Sequence, residues 1–353
     1  MSNTQAAATL AAAEERYIVL PVPGNGTGEV LALPEAMELL RSLDTLIFDL
    51  DGVLIDPTRS IQRAHPLAIE MWLQMTFGMT DCAELVSPED VAAFKLAGGF
   101  NDDWNIAESV ALALAAKAIQ SGAKDGGGLL AYGFSLQDVA EGAASLGGGM
   151  EGAREWLRRQ TPPEIFEEAS RICANGLAGQ LLKEVIAGPF CREMYDFDAE
   201  YVTGEGTIME DRLLTPPESL ELPFERGVFT GRTYGEARVG LRLVGLGEFV
   251  PDERLISWND GMYKPDGRPL AILTERIGSR VAAFIGDNPD DMRSVHLYRR
   301  NGSVPMLSVQ VCFGAAADEA REVFIREGAD LIAPDTVSAL AALKALRDGG
   351  CDG

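Results

Sequence analysis

The second half of the sequence alternates short apolar runs with helix-like segments, and this alternation constrains the fold more than any other feature. From about residue 226 onward, each run of strand length is followed by a helical pattern. The runs are GVFTG, RLISW, VAAFIG, LSVQVCF and ADLIA. Strands that alternate with helices form βαβ units, in which helices cover both faces of a parallel sheet. We therefore predict an α/β fold with a parallel sheet between helices.

The first strand of this sheet lies far upstream of the others. TLIFDL, at residues 45–50, has the composition of a fully buried strand. Helical patterns fill most of the chain between this strand and residue 226. We therefore predict one α/β domain, residues 1–57 and 226–353, that is divided after its first strand by a mainly helical insertion at 58–225.

Some segments outside this pattern carry their own predictions. Residues 1–16 do not resemble a secretory signal and are expected to be a flexible tail. Residues 17–33 contain two apolar runs joined by Gly-Asn-Gly-Thr-Gly, which predicts a short hairpin. In the insertion, Pro66 should kink a long helix or mark its start. The glycine-rich stretch at 122–152 predicts loops around a short helix near 135–146.

Composition excludes several classes of function. The formal net charge of −24 argues against nucleic-acid binding, because a phosphate backbone would be repelled. No apolar segment approaches the roughly 18 residues that a transmembrane helix needs. The five cysteines are scattered, which fits reduced thiols in a cytoplasmic protein. Two histidines make a histidine-rich metal site improbable. The oligomeric state stays open.

Chemically reactive residues follow several of the predicted strands. Asp49 and Asp51 come at the end of TLIFDL, and Thr230 ends the strand GVFTG. Lys264 lies in the segment after RLISW, and Asp287 follows VAAFIG. Ligands of open α/β sheets bind beyond the carboxyl ends of the strands. We therefore expect these side chains to converge on one edge of the sheet.

This set of residue types suits a phosphate ester. A carboxylate can attack phosphorus and form an aspartyl-phosphate, which splits one difficult displacement into two easier steps. A second acid two positions later can protonate the leaving oxygen and later deprotonate water. Paired acids at two strand ends need a cation between them, and Mg²⁺ suits oxygen ligands. A hydroxyl and an ammonium group can hold the transferring phosphoryl group.

Four motifs in the sequence resemble those of a known family. FDLDGVLID, FTGR, YKPDG and IGDNPDDM occur in the order and approximate spacing of the four motifs of the haloacid dehalogenase superfamily. The sequence is most similar to the subfamily that resembles phosphoglycolate phosphatase and carries a helical cap after the first motif. The resemblance covers roughly residues 44–56 and 226–345. It implies a Rossmann-like core with an inserted helical cap.

The resemblance also implies roles for the residues at the matching positions. Asp49 would be the nucleophile and Asp51 the general acid and base, while Thr230 and Lys264 would stabilise the phosphoryl group. The dehalogenases of the family lack an acid two residues after the first aspartate. The presence of Asp51 therefore favours phosphoryl transfer over cleavage of a carbon–halogen bond.

A magnesium site is implied by the same resemblance. Its ligands would be the Asp49 carboxylate, the main-chain carbonyl of Asp51 and Asp287, with Asp291 as a direct ligand or an outer contact. A structural alternative exists for Asp290 and Asp291, because acids in the first turn of a helix stabilise it.

Candidate substrate-binding residues come from both parts of the chain. Gly52, Gly231 and Arg232 lie within the motifs, although Arg232 could instead form an ion pair on the surface. In the insertion, the stretch FKLAGGFNDDW contains Lys95 and Asn101, and loops of this kind in related caps close over the substrate. The alternative for Lys95 is an interaction with the last carbonyls of its own helix.

The sequence as a whole predicts a Mg²⁺-dependent phosphatase that hydrolyses a small phosphorylated metabolite through an aspartyl-phosphate. The insertion would act as a mobile cap that excludes water and selects the substrate. Two alternatives stay open at this point. One is a phosphomutase of the same fold, and the other is a non-catalytic binding or regulatory module that uses the large insertion as an interaction surface.

Overall fold

The chain forms two compact units in a computed structural model that describes residues 10–22, 28–83, 85–100, 102–314 and 317–349. The first unit contains residues 1–57 and 211–353, and the inserted unit contains residues 58–210. Within the described ranges, every helix is too short or too polar to cross a membrane.

The insertion ends earlier than the sequence suggested, at residue 210 rather than 225. Arg212–Leu213 pairs antiparallel with Ile55–Asp56, the segment that leaves the first unit. The Leu214 N–H donates to the Leu54 carbonyl at 2.8 Å, and the Thr215 hydroxyl donates to the Val53 carbonyl at 2.8 Å. Hydrogen bonds therefore join the segment that leaves the first unit to the segment that returns to it. These residues lie far apart in sequence, so no local sequence pattern reveals their pairing.

An eight-stranded sheet organises the first unit. Its order is β1-β2-β10-β9-β8-β3-β6-β7. The strands β3 and β6–β10 run parallel to one another, while β2 is antiparallel to β1 and β10. The strands, including the separate pair β4–β5, are β1 (Ile18–Leu20), β2 (Val30–Ala32), β3 (Thr45–Phe48), β4 (Ile55–Asp56), β5 (Arg212–Leu213), β6 (Glu225–Phe229), β7 (Leu255–Ile256), β8 (Ala282–Gly286), β9 (Met306–Val311) and β10 (Leu331–Ala333). The predicted α/β fold is confirmed.

Helices occupy both units and are numbered here in chain order. Those of the first unit are α1 (residues 10–14), α2 (Met37–Arg41), α12 (Tyr234–Leu243), α13 (Arg268–Ile277), α14 (Pro289–Tyr298), α15 (Ala317–Glu327) and α16 (Thr336–Arg347). Those of the inserted unit are α3 (Thr58–Phe77), α4 (Pro88–Leu96), α5 (Asp103–Ser121), α6 (Gly126–Leu130), α7 (Leu136–Ser145), α8 (Gly149–Gln160), α9 (Pro163–Cys173), α10 (Leu177–Ala187) and α11 (Cys191–Tyr195).

Strand β3 is apolar throughout because both faces of the sheet are covered. Its neighbouring residues Ile47 and Phe48 point to opposite faces, as strand geometry requires. Ile47 belongs to one core cluster with Leu270 of α13 and Val295 of α14. Phe48 belongs to the cluster on the other face, which includes Leu340 of α16. The continuous apolar run in the sequence therefore reflects burial on both sides.

Residues 10–16, the described part of the predicted tail at 1–16, are held by contacts with the rest of the first unit, and residues 1–9 lie outside the described residues. Residues 10–14 are helical, and Glu14 forms an ion pair with Arg321 at 2.6 Å. The Tyr17 hydroxyl donates to the Ala329 carbonyl at 2.9 Å. The predicted hairpin is present as β1 and β2, and its connection at 23–27 lies outside the described residues.

The glycine-rich part of the insertion contains three helices rather than loops around a single one. A Cβ at Gly142 of α7 would lie 2.0 Å from the Trp156 side chain of α8. A Cβ at Gly152 of α8 would lie 2.7 Å from the Ala143 carbonyl oxygen of α7. These glycines permit close helix packing, so the prediction of loops was wrong. Pro66 lies inside the continuous helix α3 and does not mark its start.

The cysteines described in the structure are unpaired thiols. Cys82, Cys173 and Cys191 are buried, and Cys312 is half-buried. Burial raises the pKa of the Cys191 and Cys312 thiols to about 11. Such thiols are poor nucleophiles at neutral pH. Cys351 lies outside the described residues.

Candidate active site

Three neighbouring strands bring the predicted reactive residues to one edge of the sheet. Phe48 of β3 lies in register with Val228 of β6 and Ile285 of β8, and all three strands run parallel. Asp49 follows β3 directly, and its N–H donates to the Ile285 carbonyl at 2.9 Å. Thr230 and Asp287 follow β6 and β8 in the same way. The predicted convergence on the carboxyl edge is present.

Lys264 links two of the carboxylates at this edge. Its Nζ lies 2.7 Å from Asp49 Oδ2 and 2.7 Å from Asp291 Oδ1. It also lies 5.3 Å from the ring centroids of Phe229 and Phe284, so aromatic faces surround the ammonium. Burial acts to lower the pKa of Lys264, but the negative charges of Asp291 and Asp49 together raise it above its usual range. Lys264 is therefore a fixed cation.

The other Asp49 oxygen is also held in place. Asp49 Oδ1 accepts a hydrogen bond from the Leu50 N–H at 2.7 Å. The segment that carries Lys264 is attached to α14, because the Asp266 N–H donates to the Ser294 hydroxyl at 3.2 Å. Backbone and ammonium donors thus orient the Asp49 carboxylate.

Three carboxylates form a cluster that fits a metal ion. Each of Asp49, Asp287 and Asp291 offers an oxygen, and these oxygens lie within 4.8 Å of one another. Gly52 has a left-handed φ of +72°, and a Cβ there would lie 2.1 Å from Asp287 Oδ2. Only a glycine lets the Asp287 carboxylate approach the backbone this closely. We predicted Gly52 as a substrate-binding residue, and the structure shows that it makes room for this cluster.

The electrostatics of the cluster show uncompensated negative charge. Burial raises the pKa of Asp49 to about 7, even though the Lys264 charge lowers it, and the Asp291 and Asp51 charges add to the rise. Burial also raises the pKa of Asp287 well above its usual range, and the charges of Asp291 and Asp49 act in the same direction. One ammonium cannot neutralise three carboxylates. The oxygen donors and the excess charge together fit a divalent cation.

Asp291 caps a helix and also lies in the carboxylate cluster, while its role as a metal ligand stays a prediction. Its Oδ2 accepts a hydrogen bond from the Asn288 N–H at 3.1 Å, which caps the start of α14. Its Oδ1 contacts Lys264 within the carboxylate cluster. Asp290 lies at the helix surface and pairs with Arg293 at 3.0 Å, as the structural alternative for Asp290 predicted.

Asp51, whose side chain is 37% exposed, forms a second ion-pair cluster with the largely buried Arg232. Arg232 donates from Nη2 to Asp51 Oδ1 at 2.6 Å and from Nε to the two Asp51 oxygens at 3.0 and 3.1 Å. The same Nη2 donates to Asp211 Oδ2 at 2.8 Å. The Arg232 side chain is 11% exposed and that of Asp211 is 1% exposed. Arg232 therefore forms ion pairs, but in the interior rather than on the surface, and its predicted substrate contact stays a prediction.

Asp211 is the residue of this cluster that the sequence analysis missed. It lies at the return of the chain to the first unit, in a stretch that was predicted to belong to the insertion. No motif surrounds it. Its role depends on the pairing of β5 with β4, so only the three-dimensional structure brings it to Arg232.

Thr230 and Gly231 form the turn that leads to Arg232. Thr230 is buried, and its hydroxyl accepts a hydrogen bond from the Arg232 N–H at 3.1 Å. Gly231 is exposed, and a Cβ there would meet no described atom within 4 Å. The turn thus positions the Thr230 hydroxyl, while substrate contact by Gly231 stays a prediction.

Lys95, one of the two predicted insertion residues, lies in a separate cluster within the inserted unit. Lys95 Nζ lies 3.2 Å from Asp103 Oδ1, and His65 Nε2 lies 3.2 Å from the same oxygen. Lys95 therefore pairs with a carboxylate of α5. Asn101 lies outside the described residues. The structure leaves the predicted substrate contacts of Lys95 and Asn101 as predictions.

Comparisons with known proteins agree with this arrangement. A family model described as a hydrolase, haloacid dehalogenase-like hydrolase, matches residues 43–296. One similar solved structure, a structural genomics target, has a TM-score of 0.62 at 16% identity, over 87% of this chain and 100% of that chain. Another, phosphatase Tt82 from Thermococcus thioreducens, has a TM-score of 0.51 at 24% identity, over 80% of this chain and 99% of that chain. No curated protein matches the sequence.

Proposed function

Because this chain belongs to the haloacid dehalogenase-like hydrolases, we propose that it is a Mg²⁺-dependent phosphatase that hydrolyses a small phosphorylated metabolite. The observation that carries the proposal is the cluster in which Lys264 lies 2.7 Å from both Asp49 and Asp291, with the Asp287 carboxylate beside them. A nucleophilic carboxylate, a fixed cation and a set of metal-binding oxygens are the groups that phosphoryl transfer requires.

Asp49 is proposed as the nucleophile. Its carboxylate is oriented by the Leu50 N–H and by Lys264, which reduces the entropy that attack would otherwise cost. One Asp49 oxygen forms a bond to phosphorus while the bond from phosphorus to the ester oxygen breaks. The product is an aspartyl-phosphate, whose phosphoryl oxygens Lys264 and the Thr230 hydroxyl would stabilise.

Asp51 is proposed to move the protons. It donates a proton to the leaving ester oxygen, and it later accepts one from the water that attacks the aspartyl-phosphate. This second step releases inorganic phosphate and restores the Asp49 carboxylate. In the structure Asp51 accepts hydrogen bonds from Arg232, and this contact orients its carboxyl group.

The cluster of Asp49, Asp287 and Asp291 would hold the Mg²⁺ ion, with the Asp51 carbonyl as a further ligand implied by the family resemblance. A bound Mg²⁺ would neutralise charge on the phosphoryl oxygens. The inserted unit is proposed to act as a cap that selects the substrate and limits access of water. A cytoplasmic location, and a metabolite rather than nucleic acid as substrate, remain part of the proposal.

A screen of phosphorylated metabolites with Mg²⁺ tests this function. We expect the wild-type protein to release inorganic phosphate from at least one compound, and Asp49→Asn to lose this activity. Asp56→Asn is the matched control, because Asp56 ends β4 and lies outside the carboxylate cluster. With radiolabelled substrate, the wild-type protein should carry a covalent phosphate that hydroxylamine removes, as expected of an acyl phosphate.

Equal phosphate release by wild type and Asp49→Asn would refute the nucleophile. Transfer of the label between positions of a sugar phosphate, without release of phosphate, would identify a phosphomutase instead. Binding of phosphorylated compounds without any turnover would indicate the non-catalytic alternative.

A further inference from the structure

The inserted unit contains a cavity that the proposed chemistry does not use. Its volume is about 710 Å³, within the range of small-molecule binding sites. It lies among helices α5, α8, α9 and α10 and the segment after α11. Apolar side chains, including Leu112 of α5 and Phe197, form part of its wall. All of its lining residues belong to the inserted unit.

Two cations line this cavity without a carboxylate partner. Lys183 Nζ lies 4.3 Å from the ring centroid of Trp104 and 5.7 Å from that of Tyr195. The Arg154 guanidinium carbon lies 5.8 Å from the ring centroid of Phe166. Among the residues that the structure describes, neither cation has a carboxylate oxygen within ion-pair distance. Aromatic faces hold both charges while leaving their hydrogen-bond donors to another acceptor.

The acids at the cavity are engaged by other groups. Glu108 accepts a hydrogen bond from the Gly179 N–H at 2.7 Å, in the first turn of α10. Burial raises the pKa of Glu108, although this hydrogen bond lowers it. At the exposed mouth, Asp198 accepts from Arg192 Nε at 2.9 Å, and Glu200 interacts with the Tyr201 hydroxyl. None of these three acids forms an ion pair with Lys183 or Arg154 among the described residues, so both cations keep hydrogen-bond donors for a ligand.

We propose that this cavity binds a small organic anion with an apolar body. The anionic group would accept hydrogen bonds from Lys183, with Arg154 as the second cation, and the body would contact Leu112 and Phe197. An anion that lacks the body would leave the apolar wall exposed to water, and a neutral molecule would leave the cations unpaired. Both parts of the ligand are therefore required. This site does not depend on the proposed phosphatase function.

Calorimetric titration of the full-length chain with two related probes tests the proposal. 1-Naphthoate has an aromatic body and a carboxylate, and 1-naphthalenemethanol has the same body without charge. The titrations contain EDTA, so that no metal ion can recruit the anion to the acidic cluster of the first unit. We expect 1-naphthoate to bind at least about tenfold more tightly than the alcohol, the difference expected for a charge-assisted hydrogen bond.

Substitutions then locate the binding site. Lys183→Met keeps an aliphatic side chain and removes the charge, so it should weaken 1-naphthoate binding about tenfold and leave the alcohol unchanged. Lys124→Met is the matched control, since Lys124 is an exposed lysine of the same unit that does not line the cavity. Ala174→Trp, at an exposed position of the lining, should fill the cavity and block both probes. Should Lys183→Met fail to fold, Arg154→Met and Ala174→Trp still test the site.

Three results would overturn the proposal. They are equal binding of the two probes, equal loss of binding in Lys183→Met and Lys124→Met, and binding that Ala174→Trp leaves intact. Asp49→Asn separates this site from the phosphatase proposal, because it should bind 1-naphthoate like the wild type. Loss of binding in Asp49→Asn but not in Lys183→Met would place the probe in the first unit and would also refute the cavity site.

Discussion

The pKa values of aspartates in the two units are shifted in opposite directions. In the first unit, burial raises the pKa of Asp49 to about 7 and that of Asp287 well above its usual range. In the inserted unit, Asp103 is also largely buried, with 27% of its side chain exposed. Burial again acts to raise the pKa of Asp103, but the Lys95 charge and the hydrogen bond from His65 bring it well below its usual range.

The difference between these pKa shifts comes from the charged and hydrogen-bonding partners of each aspartate and not from its burial. Asp103 has a lysine and a histidine, each 3.2 Å from its Oδ1. Asp49 and Asp291 share Lys264, and the Asp287 carboxylate lies in the same cluster. A compensated aspartate stabilises the fold, whereas clustered aspartates with too few partners lower stability until a cation binds. The number of nearby cations therefore distinguishes Asp103 from the clustered aspartates of the first unit.

The largest expected effect comes from Asp287→Asn, which tests the uncompensated side of this comparison. The change removes one charged oxygen ligand from the carboxylate cluster. We expect phosphatase activity to fall on the order of 1000-fold, since metal-bound charge stabilises the transition state by several kcal/mol. We also expect the rise in melting temperature on addition of Mg²⁺ to disappear, because a ligand stabilises only the state that binds it.

Asp290→Asn is the matched control for this experiment. Asp290 precedes Asp291 on the same helix but pairs with Arg293 at the surface. It should keep both the activity and the Mg²⁺-dependent rise in melting temperature. If Mg²⁺ raises the melting temperature of Asp287→Asn as much as that of the wild type, the cluster is not the metal site. The proposed contrast between the clustered aspartates and Asp103 would then fail.

Arg232→Met should have an intermediate effect, on stability. It removes the guanidinium that donates to Asp211 at 2.8 Å, and the Asp211 side chain is 1% exposed. Removing one partner of a buried ion pair costs about 3 kcal/mol. Chemical denaturation should show this loss in the free energy of unfolding.

The double variant Arg232→Met with Asp211→Leu provides the control for that loss. It removes both partners, so it should recover much of the stability that the single variant loses. The single variant could instead unfold at the same denaturant concentration as the wild type. The stability of the fold would then not depend on the pairing of Asp211 with Arg232. The number of charged partners would not determine how much a buried aspartate destabilises this protein.

Sequence patterns predicted where the clustered acids lie because local rules determine their placement. Asp49 and Asp287 follow apolar runs that must be parallel strands, and the carboxyl ends of such strands lie together. The same rules could not find Asp211, which depends on the pairing of two strands that the whole insertion separates. They also predicted loops where the glycine-rich helices lie. Gly142 is needed because Trp156 packs against it, and this contact cannot be seen from the residues next to Gly142 in the sequence.

The smallest expected effect comes from Asp103→Asn, which tests the compensated side of the comparison. The folded-state pKa of Asp103 is lowered, so its ion pairs stabilise the fold above the unfolded-state pKa of roughly 4. This contribution is lost as the pH falls through the lowered pKa of the folded state. We expect Asp103→Asn to cost about 1 kcal/mol at pH 7, since Lys95 is partly exposed to solvent.

Denaturation at several pH values checks both the size and the sign of this effect. The difference between wild type and Asp103→Asn should be largest near pH 7 and should shrink as the pH falls below about 4. Glu151→Gln is the control, because Glu151 is an exposed acid of the same unit and its loss should change stability little at any pH. A difference that grows on acidification would mean that Asp103 is uncompensated like Asp287. Partner number would then not explain why aspartates in the two units differ.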